Sequence, residues 1–244
     1  MTARLHTIGI SHYCEKARWA LDRAGVDYVE DAHAPLFHML HGGRKTRPIL
    51  VGGALTLRDS TEILQHLDRD LPEPKKLYPS SIGAAALALE EEYDKTLGVD
   101  VRRVAYGAIG LSPRLFARLG GVLAPPFEDR VIRTMPRLIL VPLVRAFKVQ
   151  GGPPPRALAR VEATFAAASA ILEQKPFLAG DRFSAADLTF ASLAAPVILP
   201  EGHPAMPSVE ETAGEPIFDL ATRLRSTKAG AHVVKMYRDE RKRA

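Results

Sequence analysis

Ser11 and Cys14, the one cysteine of the chain, are spaced to share the first turn of a helix. An apolar run over residues 5–10 predicts a short strand just before them, and Gly25 has the character of a left-handed helix end. Ser11 is a favourable N-cap residue. Because the free N–H groups and the dipole of a helix start favour negative charge, the pattern predicts a site that stabilises a thiolate, either bound or intrinsic.

The residues that follow extend the first helix into a small α/β unit. Residues 26–29 are expected to form a second strand, and residues 48–57 predict a hairpin around Gly52-Gly53. Asp59 and Ser60 then begin another helix with one apolar face. The predicted order is strand, helix, strand, loop, hairpin and helix.

In this order the motifs resemble the thioredoxin-like N-terminal domain of the cytosolic glutathione transferase family, in its serine type. A second resemblance covers residues 177–191, FLAGDRFSAADLTFA, which are similar to the buried helix start of the family's all-α C-terminal domain. Ser184 and Asp187 have the spacing of a capping box there. The N-terminal resemblance rests on the Ser11-x-x-Cys14 helix start, on Arg47-Pro48-Ile49-Leu50 and on Asp59-Ser60.

The two resemblances are separated by a linker-like segment. Residues 70–80 contain three prolines and two lysines with little periodicity. Residues 84–94 and 155–175 show helical patterns, and no strand alternation of comparable strength appears in the second part of the chain. We therefore expect an α/β thioredoxin-like N-terminal domain over 1–78 and an all-α helical C-terminal domain over 79–244, the glutathione transferase architecture.

The resemblance implies that glutathione is the co-substrate and that Ser11 holds its thiolate for attack on an apolar electrophile. It also implies that the main chain of Arg47, before a cis-Pro48, pairs with the cysteinyl backbone of glutathione. Asp59 and Ser60 would take the γ-glutamyl end by charge and by helix-start hydrogen bonds. The alternatives are helix capping by Asp59-Ser60 and a solvated loop charge at Arg47.

Two other functions stay open at this point. Cys14 occupies the second position of the motif, whereas the nucleophile of glutaredoxin-like members occupies the first, which here is Ser11. A glutathione-dependent thiol transferase or reductase would work through Cys14, for which a buried structural role is the alternative. If Ser11 only caps its helix, the protein would be a non-catalytic glutathione-fold protein that binds apolar ligands or a partner.

Three histidines precede the hairpin. His33, His38 and His41 match no common zinc spacing, so no metal is expected. His41, Arg44 or Lys45 is instead the candidate for binding the glycyl carboxylate of glutathione, and the sequence does not choose among them.

The composition agrees with a soluble enzyme. The 244 residues are 46% hydrophobic and 25% charged, which allows a sizeable core. A single cysteine excludes an intrachain disulfide framework, and no secretory signal is evident, so a cytoplasmic location is expected. The resemblance further implies a homodimer and a role in detoxification.

Residues 101–161 concentrate the positive charge, with eleven Lys or Arg and two acids, a net +9 against +5 for the whole chain. Pro136 and Pro142 are expected to interrupt any helix there, and the arginines argue against a membrane span. Three interpretations stay open: a lid over the acceptor, a weak contact with an anionic membrane surface, or core helices with solvated basic faces. No recognition motif accompanies the charge, so nucleic acid is not an expected partner. The acceptor wall would come from Leu138, Ile139, Leu140 and Phe147.

Overall fold

The computed structural model describes residues 2–40 and 48–241. Four strands form one sheet in the order β2-β1-β3-β4, with β1 (Ala3–Ile8), β2 (Tyr28–His33), β3 (Ile49–Gly52) and β4 (Leu55–Leu57). β1 runs parallel to β2 and antiparallel to β3, and β4 closes a hairpin with β3. Three helices belong to this part: α1 (His12–Ala24), α2 (Phe37–Leu40) and α3 (Ser60–Asp68).

A small apolar core fixes α1 and α3 on the sheet. Leu5 and Leu50 are register partners on β1 and β3, so their side chains leave the sheet on the same face. Ala17 and Leu21 of α1 and Ile63 of α3 pack against them. Gly25, with φ +68°, ends α1 in the left-handed conformation that the sequence predicts.

The rest of the described chain is helical, and its core is continuous with α1. Helix α10 is its centre, because every residue from Ala185 to Ile198 is buried and the helix packs on α1, α4, α5 and α12. The helices are α4 (Gly83–Lys95), α5 (Leu97–Gly110), α6 (Pro113–Leu119), α7 (Pro126–Thr134), α8 (Pro136–Ala146), α9 (Pro155–Gln174), α10 (Ala185–Ile198), α11 (Phe218–Arg225) and α12 (Lys228–Asp239).

The predicted capping box begins α10. The Ser184 N–H and hydroxyl both donate to Asp187 Oδ2, at 3.1 and 3.0 Å. The other carboxylate oxygen accepts from the Leu178 N–H and pairs with His232 of α12, each at 2.9 Å. One buried acid thus ties the start of the central helix to the preceding loop and to α12.

The C-terminal end of the described chain returns to α1. Arg241 Nε donates to Glu15 Oε1 at 2.7 Å, and its Nη1 donates to Asp22 Oδ2 at 2.6 Å. Glu15 is fully buried and Arg241 nearly so. Arg18 of the same helix pairs with Glu30 of β2 at 2.6 Å. Buried charges on α1 are therefore neutralised by partners from both parts of the chain.

The predicted fold class is confirmed, as an α/β part with a mixed sheet is followed by an all-helical part. Strand β2, however, begins two residues later than expected and runs through Glu30 and Asp31. These acids are partly exposed, and they pair with Arg18 at 2.6 Å and His6 at 2.7 Å, so the strand accommodates them without an apolar pattern. No helix within the described ranges is long and apolar enough to cross a bilayer.

The expectation that Pro142 interrupts its helix is wrong. Helix α8 begins with Pro136 at a position that tolerates proline, and then continues through Pro142 to Ala146. Pro142 lacks only the N–H that would bond to the carbonyl of Leu138. Because Leu138 is 59% exposed, water can satisfy that carbonyl and the helix persists.

Candidate functional site

Ser11 is the N-cap residue of α1, directly after the carboxyl end of β1. Its N–H donates to the Ile8 carbonyl at 2.9 Å, and its own carbonyl accepts the first helical hydrogen bond from Glu15 at 3.0 Å. The turn between them needs glycine, since a Cβ at Gly9 would collide with the carbonyl oxygen of Val122. Within the described chain, the Ser11 hydroxyl makes no capping hydrogen bond to its helix and lines a cavity.

Cys14 lies beneath that surface. The thiol is fully buried, is not part of the cavity wall, and its sulfur accepts the Ile8 N–H at 3.4 Å. Burial raises the pKa of Cys14, although Arg18 and hydrogen bonds from Ile8 and Ser11 act in the opposite direction. The structure thus places Ser11 at the cavity and Cys14 in the core behind it.

The start of α3 faces the same cavity. Asp59 is exposed and caps the helix by accepting the Thr61 N–H at 2.8 Å, while Ser60 is buried. Both line the cavity together with Arg58, whose N–H donates to Glu62 Oε2 at 2.9 Å. Two helix starts, those of α1 and α3, therefore present N–H groups to one space.

Part of the predicted site lies elsewhere. Pro48 is buried next to β3 and is not part of the cavity wall. Arg47 and the three candidates for the glycyl carboxylate, His41, Arg44 and Lys45, fall outside the described residues. Of the other two histidines, His38 lines the cavity, and His33 pairs with Glu128 of α7 at 2.7 Å. In the ranges that the structure covers, no three His, Cys, Asp or Glu side chains gather as a metal site.

A buried polar cluster supports the two helix starts, and the sequence analysis missed it. Lys16 of α1 is fully buried and pairs with Glu90 at 2.7 Å and Asp94 at 2.6 Å, both on α4. Thr61 of α3 donates to Asp94 at 2.9 Å. Asp94 reaches the cavity wall, and burial raises the pKa of its carboxyl. The available signal was the i, i+4 spacing of Glu90 and Asp94, which places both acids on one face of α4.

His12 and Tyr13, next to Ser11, were also missed. His12 is buried with its Nε2 3.1 Å from the Gly98 carbonyl, and burial, helped by Arg102, lowers its pKa to about 3. The Tyr13 hydroxyl donates to the Asp94 carbonyl at 2.9 Å, and burial raises its pKa to about 12. A neutral imidazole and a protonated phenol thus fix the start of α1 against α4 and α5.

The cavity enclosed by these groups has a volume of about 700 Å³. Its helical wall is mostly apolar and comes mainly from α4, α5, α6, α8 and α10, so the basic segment 101–161 supplies much of it. A cavity of this size suits an organic molecule well beyond the size of water. The wall from the helical part contains Asp94, Lys95, Arg102, Ala105, Tyr106, Ile109, Leu119, Leu143, Ala146, Phe147, Pro196 and Met206.

Of the four residues expected to form the acceptor wall, Phe147 lines this cavity and Leu138, Ile139 and Leu140 do not. Leu138 is 59% exposed, and Ile139 and Leu140 are buried in the main core. Only the last turn of α8 reaches the cavity, through Leu143, Ala146 and Phe147, which lie on one face at three- and four-residue spacing.

Comparison with known proteins identifies the family to which this chain is similar. The N-terminal domain model of glutathione S-transferases matches residues 5–75, and the C-terminal domain model matches residues 145–211, so that together they cover more than half of the chain. No curated protein matches the chain in sequence.

Solved structures share the fold over nearly the whole length. The β-etherase LigF from Sphingobium sp. strain SYK-6 is similar with a TM-score of 0.60 and 16% identity, over 96% of this chain and 99% of that chain. Glutathione S-transferase-I bound with lactoylglutathione is similar with a TM-score of 0.55 and 17% identity, over 97% of this chain and 100% of that chain. The theta class glutathione S-transferase from Xanthomonas axonopodis pv. citri is similar with a TM-score of 0.51 and 21% identity, over 96% of this chain and 97% of that chain. With both domain models matched in order on this architecture, the chain belongs to the glutathione S-transferase family.

Proposed function

We propose that the protein is a glutathione transferase that conjugates the glutathione thiolate to an apolar electrophile, with Ser11 holding the thiolate. One observation carries this proposal. Ser11 stands at the positive end of α1, its hydroxyl makes no capping hydrogen bond to that helix, and the residue lines a large cavity. The known structures of the family include a lactoylglutathione complex and a glutathione complex, which supports glutathione as the co-substrate.

The chemistry asks little of the protein beyond ionisation and positioning. A free thiol has a pKa of about 8.5, so about 2.7 kcal/mol is needed to lower it by two units. A hydrogen bond from Ser11 to the charged sulfur supplies about 1.5–3 kcal/mol, and the helix start adds a few tenths or more. The thiol proton leaves to solvent, the sulfur attacks the electrophilic carbon, and the leaving group departs with its electron pair.

Glutathione would be oriented by the elements around Ser11. In the proposed pose the γ-glutamyl end meets Asp59 and the start of α3 at Ser60, both on the cavity wall. The cysteinyl backbone would pair with the main chain at Arg47, next to Pro48. The capping bond of Asp59 leaves its second carboxylate oxygen for the γ-glutamyl amine.

Two alternatives make different predictions. A thiol transferase would need Cys14 as the nucleophile, which its burial and raised pKa oppose. A non-catalytic ligand-binding protein would fill the cavity without activating a thiol. Retention on immobilised glutathione together with turnover of an aryl halide would exclude the non-catalytic ligand-binding protein. A mixed disulfide at Cys14, detected by intact mass, would favour the thiol transferase.

The decisive experiment is an ultraviolet titration of bound glutathione. Ser11→Ala should raise the pKa of the bound thiol by about one unit or more and change glutathione affinity only a few-fold, because only the ionised form loses a partner. Cys14→Ala is the matched control and should leave that pKa unchanged. An identical thiol pKa in the wild type and in Ser11→Ala would refute the role of Ser11.

The remaining features of the proposal come from the family. We propose a homodimer with a domain boundary near residue 78, acting in the cytoplasm in detoxification. Sedimentation velocity would test the dimer directly, since a monomer of 26.6 kDa is well separated from twice that mass.

A further inference from the structure

Arg102 differs from the other cations of the basic segment because it stands in the cavity wall among aromatic rings. Its guanidinium lies 5.2 Å from the centre of the Phe147 ring and 6.0 Å from that of Tyr13. Phe147 in turn stacks on Tyr106, with ring centres 4.7 Å apart and planes 10° from parallel. All four side chains line the cavity. Arg102 is thus a cation held by flat apolar surfaces inside the proposed acceptor site.

Among the described residues, no carboxylate forms an ion pair with this cation. In the described part of the chain, the Arg102 Nε is buried without a hydrogen-bond partner, and no ion pair forms with its guanidinium. Two arginines of the segment that do have ion pairs make them outside the cavity wall: Arg133 with Asp129 at 2.7 Å and Arg160 with Asp100 at 2.5 Å. Aromatic faces orient a guanidinium without cancelling its charge, so the group retains its capacity for an anion.

The charge of Arg102 acts on the interior of the site. After burial, it is the next cause of the lowered pKa of His12, the residue that follows Ser11. The charge of Arg102 is therefore felt at the start of α1, although Asp59 and Asp94 in the same cavity wall act in the opposite sense on Tyr13. A neutral apolar acceptor gains nothing from the charge of Arg102, whereas an acceptor with a negative group does.

We propose that Arg102 binds an anionic group of the acceptor, so that the preferred substrates are aromatic electrophiles bearing a carboxylate or a similar oxyanion. This inference rests on the proposed function of the site. The aromatic surfaces of Tyr106 and Phe147 contact the apolar body of the acceptor, and the guanidinium takes the anion in a charge-assisted, planar contact. The second possible source of an anion is glutathione itself, and the experiment separates the two.

The test compares a charged acceptor with its neutral analogue: 4-chloro-3-nitrobenzoate and its methyl ester. In both, the sulfur forms a bond to the ring carbon, and chloride leaves with the electrons of the broken carbon–chlorine bond. Arg102→Gln should lower kcat/KM for the benzoate by about 10- to 100-fold and leave the ester within about 3-fold. Arg102→Lys should restore part of the loss because it keeps the charge.

The neighbouring arginine provides the matched control. Arg103 is on the same helix and is not part of the cavity wall, so Arg103→Gln removes the same charge from the protein but should leave both acceptors within about 2-fold. Equal losses for benzoate and ester in Arg102→Gln would overturn the proposal. A rise in the KM for glutathione with an unchanged benzoate preference would assign Arg102 to a glutathione carboxylate and would also overturn it.

A binding measurement tests the proposed anion site independently of catalysis. Calorimetric titration with the unreactive 3-nitrobenzoate and methyl 3-nitrobenzoate, without glutathione, should show that the wild type prefers the acid and that Arg102→Gln loses this preference. If the wild type conjugates neither acceptor yet keeps the preference, the transferase function fails and the anion site stands. If the wild type binds the acid no better than the ester, the anion site fails whatever the catalytic result.

Discussion

The buried His12 predicts a specific dependence of stability on pH. In the folded protein its pKa is lowered from 6.5 to about 3 because burial disfavours the imidazolium. Between these two values the unfolded chain binds a proton at His12 that the folded chain does not. The free energy of unfolding must therefore fall as the pH falls through this window, and the contribution of the neutral side chain is complete above pH 6.5.

The size of the effect follows from the shift. Each pKa unit is worth about 1.4 kcal/mol, and pH 5 lies about 1.5 units below the unfolded value, so His12 alone should remove about 2 kcal/mol of stability between pH 7.5 and pH 5. His203, whose pKa burial lowers to about 4, adds a similar loss. A comparison with a His12 variant isolates the contribution of His12 to stability. The contribution of His203 is present in both proteins and cancels in the difference.

The variant is His12→Gln, whose amide can still donate a hydrogen bond to the Gly98 carbonyl. Urea unfolding is followed by the fluorescence of Trp19, the single tryptophan, which is fully buried. The stability advantage of the wild type over the variant should shrink by about 2 kcal/mol from pH 7.5 to pH 5. His66→Gln on α3, outside the cavity wall, serves as the control histidine. A wild-type advantage that does not change with pH would refute a neutral, buried His12.

Three further outcomes are expected. Cys14→Ala should keep conjugation within about 3-fold while losing about 1–2 kcal/mol of stability, and complete loss of turnover with an intact circular dichroism spectrum would move the chemistry to the thiol. Arg241→Met should lower the free energy of unfolding in urea by about 3–5 kcal/mol, because Glu15 stays buried and charged. Adding Glu15→Gln should recover much of this loss, and no recovery would show that the two residues are not coupled. Replacing Leu143 and Phe147 by alanine should raise the acceptor KM by about tenfold with the glutathione KM unchanged, and the reverse pattern would place glutathione on that wall.

The backbone of the N-terminal part could be predicted because its signals are local. The serine cap and the glycine end of α1, the Gly-Gly hairpin and the Asp59 cap each depend on residues within a few positions of one another. The same holds for the capping box of Ser184 and Asp187. In each case the two interacting residues lie in the same short stretch of the sequence.

The side-chain environment of the site depends on partners far along the chain. Lys16 has no local signal for burial, since its partners Glu90 and Asp94 lie more than seventy residues later. The isolation of Arg102 is likewise visible only when every acid near it has been placed. The position of Leu138, Ile139 and Leu140 outside the cavity wall has the same origin, because periodicity identifies the apolar residues of α8 but not which turn borders the cavity.

The bond between Arg241 and Glu15 has a consequence for biosynthesis. The two residues are 226 positions apart. At about 5–20 residues per second, a ribosome adds Arg241 on the order of 10–45 s after Glu15. Throughout that interval Glu15 can pair with Arg18 of its own helix but lacks its closer partner Arg241, so the contact between the C-terminal end of the described chain and α1 has not yet formed. The surroundings of α1 are therefore complete only after Arg241 has been synthesised, and a nascent chain arrested before that residue should be recognised by chaperones and proteases as unfinished.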